Sequence, residues 1–182
     1  MRRRIISRSY NSLEPFLLYR LFKKGDENAF ESLYNRFSAS IFNYLLKLLG
    51  NWDLAEDILE ETFIKLYESN LEERGKLKNW LYRVATNLSY KALRKGSNKI
   101  VDYENLIMKE DNFKEEDLLA KIQIQKALMK VPETQRIVII LKFYQGMKYK
   151  EISEVIDCPL GTVKTRIYEG LKKMQKLVKK DE

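Results

Sequence analysis

The sequence predicts an all-α protein made of two small helical domains joined by an acidic linker. The 182 residues include only seven glycines and three prolines, and no segment shows the sustained apolar–polar alternation that indicates a strand. Apolar residues recur at helical spacing instead, which predicts helices over residues 15–24, 27–49, 52–69, 79–95, 117–130, 132–145, 148–157 and 162–179. The chain then divides into a basic tail with a leading helix, a larger domain, the linker and a smaller domain, over residues 1–24, 25–95, 96–117 and 118–182.

The first twenty residues are basic, with arginine at positions 2, 3, 4 and 8. Such a segment is either a disordered tail or an arm that binds phosphates, and we expect the tail. It lacks the long apolar core of a signal peptide, and no apolar run in the chain approaches the length of a membrane span. We therefore expect a cytoplasmic protein without membrane insertion.

Composition narrows the possible functions. The formal net charge of +8 favours a polyanionic partner, either nucleic acid or an acidic surface. The chain has no histidine and a single cysteine, Cys158, which excludes histidine-based triads, zinc sites built from histidine or cysteine, and internal disulfides. We expect no metal and no cofactor, although a carboxylate-dependent enzyme is compatible with this composition.

The helix predicted over residues 52–69 is acidic, in contrast to the rest of the chain. Asn51 or Asp53 suits its N-cap. Its acidic surface consists of Glu56, Asp57, Glu60 and Glu61. Acids early in a helix interact favourably with the macrodipole, which is one explanation. They also repel DNA, so this surface favours a basic protein partner.

The helix predicted over residues 79–95 combines a buried apolar stripe with a basic and aromatic face. That face carries Trp80, Arg83, Asn87, Tyr90, Lys91 and Arg94. Rings stack on bases while cations follow phosphates, so the face suits a nucleic-acid strand with exposed bases. The alternative is a solvent-facing helix whose tyrosines flank the core, with Trp80 inside that core.

Residues 96–117 break the helical pattern and reverse the charge. From Val101 onward, seven acids stand against two lysines. A solvated loop kept soluble by its charge explains this segment as well as a functional role does. Fully extended, roughly 20 residues reach about 70 Å. Two turns of DNA span about the same length, so the two domains can bind separate sites on one duplex.

Residues 149–171 have the pattern of a helix-turn-helix. Asp157 tolerates the left-handed conformation that ends a helix, and Pro159 prevents the first helix from continuing. Two short helices joined by a tight turn fit a DNA major groove. Thr162 then caps or opens the second helix. Its outward-facing candidates are Thr162, Lys164, Thr165, Arg166, Tyr168, Glu169 and Lys172. An ordinary helical hairpin is less compatible, because the basic residues concentrate on the second helix.

Three motifs extend these features over most of the chain. They read AEDILEETFIKLYE, KNWLYRVATNLSYKALRK and VPETQRIVIILKFYQGMKYKEISEVIDCPLGTVKTRIYEGLKKM. In this order and spacing, residues 25–95 and 118–179 resemble the extracytoplasmic-function (ECF) group of bacterial RNA polymerase sigma factors. The resemblance implies sigma regions 2 and 4 without region 3 between them, and a promoter-specificity subunit rather than an enzyme.

The resemblance also implies partners and roles. The acidic helix would dock on the clamp helices of the polymerase β′ subunit, and region 4 on the β flap. The loop 71–78, which contains Arg74 and Lys76, would capture a base flipped from the minus-ten element, and the following helix would open the strands. The second helix of the helix-turn-helix would read the minus-thirty-five element. The acidic linker would thread polymerase channels built for nucleic acid, and an anti-sigma factor is a possible further partner.

Two positions depart from the family pattern, and two other functions remain as alternatives. Glu60, on the acidic surface proposed for docking, stands where relatives often carry glutamine. Glu169 stands where some relatives carry arginine, which predicts a different promoter sequence, because glutamate accepts a hydrogen bond from cytosine. The first alternative is a free-standing helix-turn-helix regulator that binds duplex DNA without polymerase. The second is a carboxylate-dependent nuclease, which needs acids that converge on a metal beside the basic groove.

Overall fold

The computed structural model describes residues 10–72, 77–95 and 115–179, with the side chains of the last segment described from residue 119. Within these ranges the regular structure is helical, and none of the described residues belongs to a strand. The α-helices in chain order are α1 (Pro15–Phe22), α2 (Glu27–Leu49), α3 (Trp52–Glu68), α4 (Leu77–Arg94), α5 (Glu115–Met129), α6 (Glu133–Ile139), α7 (Tyr149–Ile156) and α8 (Leu160–Val178). Helix α5 thus starts two residues before the expected end of the linker.

Helix α2 is the centre of the N-terminal group, α1–α4. It begins at Asp26, whose carboxylate accepts a hydrogen bond from the Ala29 amide (3.3 Å), and it ends at Gly50 in the left-handed conformation (φ 62°). Asn51 then caps α3 by accepting from the Leu54 amide at 3.0 Å. Helices α1, α3 and α4 pack around the apolar face of α2, which buries Leu33 and the other large side chains of this core. The bounds of α2 agree with the prediction because both of its caps are visible in the sequence.

The expectation of a tail over the first twenty residues is wrong for residues 10–20. The Arg36 guanidinium donates to the carbonyls of Leu13 and Asn11, both at 2.7 Å. Phe16 and Leu18 of α1 are buried against α2. This apolar packing orders the segment despite its basic start. Arginines 2, 3, 4 and 8 lie outside the described residues.

The C-terminal group, α5–α8, contains a π-helical turn where one continuous helix was predicted. After α6, residues Ile140–Tyr144 form this turn, and the Gln145 amide donates to the Ile140 carbonyl five residues earlier at 3.1 Å. Gly146 then ends the segment with φ 64°. A π-turn has no signature in apolar periodicity, because local packing selects it.

The helix-turn-helix consists of α7, the turn at Asp157 and α8. Asp157 adopts the left-handed conformation (φ 49°), as its side chain predicts. Helix α8 begins at Leu160 with Pro159 in the N-cap position, so Thr162 lies inside the first turn and the expectation that it caps the helix is wrong. Pro159 precedes the first turn with an extended backbone (φ −57°, ψ 146°), which is compatible with its fixed φ, and its side chain makes no capping hydrogen bond.

The two groups of helices pack against each other and share one continuous core. Helix α4 lies against α7, and α2 contacts the π-helical turn. The Arg136 side chain of α6 is 7% exposed and donates to the Leu48 carbonyl at the end of α2 (2.8 Å). The two groups are thus in contact in this arrangement, although the length of the linker would allow them to separate and bind distant sites on one duplex.

Candidate nucleic-acid and protein interfaces

The predicted acidic surface lies along the exposed side of α3. Its members Glu56, Asp57, Glu60 and Glu61 are all exposed. Lys65 forms an ion pair with Glu61 at 3.7 Å, one turn further along the helix. Opposite charges in this exposed setting hold each other only weakly. The surface is therefore free to exchange that contact for a cation of a partner.

A groove between α2 and α3 borders this acidic surface. It has a volume of about 360 Å³. Phe42 and Trp52 line it with their ring centroids 4.7 Å apart, and Glu56 and Glu60 lie at its rim. An apolar floor with an acidic rim suits a helix that carries both apolar and basic side chains.

The basic and aromatic face of α4 is only partly accessible. Asn87, Lys91 and Arg94 are exposed, whereas Trp80 and Tyr90 are half-buried. Burial raises the pKa of Tyr90, and the positive charge of Arg166 opposes that shift. Because Arg166 belongs to α8, the structure brings the two predicted DNA-binding faces next to each other.

A cavity of about 620 Å³ lies between the end of α3 and the start of α4. The N-terminal group contributes Asn70, Leu71, Glu72, Leu77, Asn79, Trp80 and Arg83 to its wall. The cavity combines an indole ring, a guanidinium and two amide side chains, which are the groups that stack on and hydrogen-bond to an unpaired base. It adjoins the loop predicted for base capture, whose Arg74 and Lys76 lie outside the described residues.

Helix α7 and the residue after it close one side of this cavity. Asp157 forms an ion pair with Arg83 at 3.0 Å, and the Asn79 amide donates to Glu154 at 2.8 Å. Nearby, the Tyr82 hydroxyl donates to the side-chain carbonyl of Gln145 at 2.6 Å. Two carboxylates of the C-terminal group thus occupy the polar groups that would face a nucleic acid.

The outer face of α8 presents most of the residues predicted for the major groove. Lys164, Thr165, Tyr168, Glu169 and Lys172 are exposed, and Thr162 and Arg166 are partly so. The Glu169 carboxylate accepts a hydrogen bond from the Gln135 side chain of α6 at 2.9 Å. The exposed cation Lys172 thus lies one helical turn from Glu169, whose carboxylate is tied to α6.

Three contacts between distant residues were missed by the sequence analysis. Arg136 binds the carbonyls at the ends of two helices, and the Tyr82–Gln145 hydrogen bond joins residues 63 positions apart. The third is the hydroxyl of Tyr19, which bonds to the chain where α3 ends. Only Arg136 has a visible signal, because a lone cation directly before the apolar run 137–141 indicates a buried partner.

The described part of the chain holds neither a candidate metal cluster nor a candidate membrane span. Among residues 10–72, 77–95 and 115–179, no group of three or more acids and cysteines is placed to hold a metal ion. None of the helices described in these ranges is long and apolar enough to cross a membrane.

A helix-turn-helix that packs against another helix with a basic and aromatic face is typical of DNA-binding proteins that act in transcription. The comparisons make this class more specific. Residues 33–99 match the family model for sigma-70 region 2, and residues 121–174 match the one for sigma-70 region 4. The chain is 33% identical to the ECF RNA polymerase sigma factor SigW of Bacillus subtilis, over 85% of this chain and 91% of that protein. It belongs to the ECF sigma factors, which direct RNA polymerase to promoters.

Other relatives and solved structures agree with this assignment. The ECF RNA polymerase sigma-E factor of Haemophilus influenzae is 29% identical, over 81% of this chain and 86% of that protein. The sigma factor RpoE of Bartonella quintana, solved with the anti-sigma factor NepR, has a TM-score of 0.66 at 23% identity, over 84% of this chain and 98% of its own. CnrH, solved with the cytosolic domain of CnrY, has a TM-score of 0.69 at 20% identity, over 91% and 97%. The last two likenesses concern the fold.

Proposed function

We propose that residues 25–95 dock on core RNA polymerase and open the minus-ten element, and that residues 118–182 bind the minus-thirty-five element. The polymerase supplies the catalysis, so this chain is not itself an enzyme, and it works in the cytoplasm where the polymerase is. The observation that carries the proposal is the cavity beside Trp80 and Arg83, from which the basic face of α4 continues toward Arg94. A flipped base costs a few kcal/mol of unstacking, which stacking and hydrogen bonds in such a cavity offset.

The acidic surface of α3 is the proposed contact with the clamp helices of the β′ subunit. Because its carboxylates repel phosphates, this surface suits a protein partner and not DNA. The aromatic groove beside it accepts the apolar side chains of the same partner. The proposed contact with the β flap involves the C-terminal group, where Phe143 is 57% exposed at the π-helical turn.

The outer face of α8 is the proposed reader of duplex DNA. Lys164 and Lys172 are exposed cations that can bind phosphates without regard to sequence. Thr165 and Tyr168, also exposed, lie on the turns that enter the groove. The base sequence is then read by the first three turns of α8, while the lysines fix the position of the helix on the duplex.

An anti-sigma factor is a proposed regulator of this chain. Of two solved structures of the same fold, RpoE was captured with the anti-sigma factor NepR, and CnrH with the cytosolic domain of CnrY. A partner that binds both groups of helices would hold α7 on α4 and keep Arg83 paired with Asp157. Its identity is a separate question from the promoter contacts.

The deciding experiment reconstitutes the protein with core bacterial RNA polymerase and transcribes a library of promoters. We expect tight binding to core and transcription from a discrete promoter set that shares two sequence elements. The Arg83→Ala and Asn87→Ala variants should bind core normally but form fewer open complexes. Sequence-specific binding of the protein alone to duplex sites, with no affinity for core, would instead identify a free-standing regulator. DNA cleavage that requires magnesium or manganese would identify a nuclease.

A further inference from the structure

We infer that Tyr19 is a positioning residue for base capture: its hydroxyl fixes the chain at Ser69–Leu71, which forms one wall of the cavity beside Trp80. The inference rests on the proposed function of that cavity, and it adds a residue from α1 to the determinants of promoter sequence. Tyr19 touches no DNA itself. It acts by holding the backbone that does.

The hydroxyl of Tyr19 joins two points of the chain just after α3. It donates to the Ser69 carbonyl at 2.8 Å and accepts from the Leu71 amide at 2.9 Å. The Ser69 hydroxyl oxygen also lies within hydrogen-bond distance of the Tyr19 hydroxyl oxygen, at 3.1 Å. One phenol supplies one donor and more than one acceptor site, so it can make both backbone bonds at once. It therefore closes the turn at which α3 ends and the cavity wall begins.

Three consecutive residues at and after this turn line the cavity. Asn70 lies between the two bonded positions, and Leu71 and Glu72 follow it along the wall. Lys23, just after α1, donates to the Tyr67 carbonyl at 3.0 Å and adds a second tie to the same end of α3. Helix α1 and the residue after it thus hold the chain that leads into the cavity wall.

The ring and the hydroxyl of Tyr19 have separable roles. The side chain is 1% exposed, and its ring packs against Phe16 and Phe22 with centroid distances of 5.9 and 6.4 Å. A phenylalanine would make those same ring contacts, so filling the core does not require the hydroxyl. What the hydroxyl adds is the pair of bonds to Ser69 and Leu71. Residue 19 also precedes residues 33–99, the segment that matches sigma-70 region 2.

The test compares Tyr19→Phe with a matched variant, Tyr44→Phe. Tyr44 is also fully buried, and its hydroxyl bonds to the Thr86 hydroxyl at 2.8 Å, away from the cavity wall. Each variant thus loses hydrogen bonds made by one buried tyrosine hydroxyl. Both proteins are reconstituted with core RNA polymerase, and open complexes are measured on promoters that carry each of the four bases at every minus-ten position.

We expect Tyr19→Phe to lower the base preference at a single minus-ten position by about fivefold, the effect of losing roughly one net hydrogen bond. Preferences in the minus-thirty-five element and affinity for core should not change. Tyr44→Phe should keep the full preference at every position. An unchanged preference in Tyr19→Phe, or an equal loss in both variants, would overturn the inference.

The result also separates this inference from the proposed function. If the wild-type holoenzyme shows no base preference at any minus-ten position, then the cavity does not capture a base and the proposed function fails first. If Tyr19→Phe does not fold, hydrogen exchange of the wild-type protein decides. We expect the Leu71 amide to exchange at least tenfold more slowly than an unbonded loop amide, and exchange at the unbonded rate would overturn the inference.

Discussion

In the closed arrangement described above, α7 packs on α4; in an open arrangement the two helices would be separated. Neutralising the two carboxylates that α7 and its C-cap place against α4 should increase the fraction of open molecules. The double variant Asp157→Asn with Glu154→Gln keeps the size of both side chains, and asparagine tolerates the left-handed conformation at residue 157. The Arg83–Asp157 pair is 44% and 86% exposed, so we assign it about 0.5 kcal/mol. The Asn79–Glu154 hydrogen bond has a charged acceptor and contributes about 1 kcal/mol. Together they favour the closed arrangement by about 1–2 kcal/mol, a factor of 5–30.

The assay measures binding of the free protein to single-stranded DNA that contains the minus-ten element. If only the open arrangement binds, the apparent affinity falls by the fraction of open molecules, so opening should tighten binding by up to that factor. Small-angle X-ray scattering reports the same change directly. A compact chain of this length has a radius of gyration of about 16 Å, and the double variant should exceed the wild type.

A matched control removes the effect of net charge. Glu31→Gln with Glu68→Gln also neutralises two exposed acids, and neither residue lies in α7. The control should gain little affinity and keep the wild-type radius. If the double variant and the control bind single-stranded DNA equally, or if the radius is the same in all three proteins, then the two carboxylates do not hold the closed arrangement and the reasoning is wrong.

Four further predictions concern the other surfaces and the core. Asp57→Ala with Glu61→Ala should weaken binding to core polymerase about tenfold in a direct binding assay, because two exposed charges lose a basic partner. Lys172→Ala should reduce the slope of log affinity against log salt for duplex DNA by about 0.9, since it removes one phosphate contact. Arg136→Met should lower the free energy of unfolding in urea by about 3 kcal/mol, because several carbonyls lose a buried donor. Burial raises the pKa of Tyr44. The free energy of unfolding should therefore keep its full value below pH ~10 and fall by up to about 1.4 kcal/mol per pH unit above it, and Tyr44→Phe should reduce this loss.

Each of these predictions has a control at an exposed position of the same residue type. For docking it is Glu68→Ala, which should keep normal affinity for core. For the salt slope it is Lys24→Ala in the N-terminal group, and an equal change in both variants would show that charge alone matters. Arg20→Met should leave unfolding unchanged within about 0.5 kcal/mol. Tyr67→Phe should keep the wild-type loss of stability at high pH; a wild-type loss in Tyr44→Phe as well would contradict the assignment to burial.

The sequence predicted the helices well where local chemistry decides their ends. Helix α2 is bounded by a side-chain cap at Asp26 and by Gly50, and both signals can be read without knowledge of the fold. The start of α8 was placed two residues late, because threonine is a stronger N-cap than proline and Pro159 nevertheless takes that position. The acidic surface of α3 was predicted in full, since exposed acids on one helix depend on periodicity alone.

The packing between the two groups of helices could not be predicted in the same way. It depends on pairs such as Tyr82 with Gln145 and Arg136 with Leu48, whose members are separated by 63 and 88 positions. No local pattern relates such residues, because their contact follows from the arrangement of whole helices. For the same reason, the sequence predicted a nucleic-acid face that contains Arg83 and Tyr90, but not that α7 packs against the helix that carries them.

The two basic faces should therefore respond differently to salt, although both are proposed to bind phosphates. Lys172 is exposed, so its contact with DNA displaces condensed cations from the duplex and contributes fully to the salt dependence. Arg83 already has Asp157 as a counter-ion, and binding DNA exchanges that carboxylate for a phosphate. The freed carboxylate then attracts a cation from solution, which offsets the cation released from DNA. Salt also weakens the Arg83–Asp157 ion pair that favours the closed arrangement. As the salt concentration rises, the proposed minus-ten face of α4 should therefore open more readily, whereas its affinity for DNA should fall.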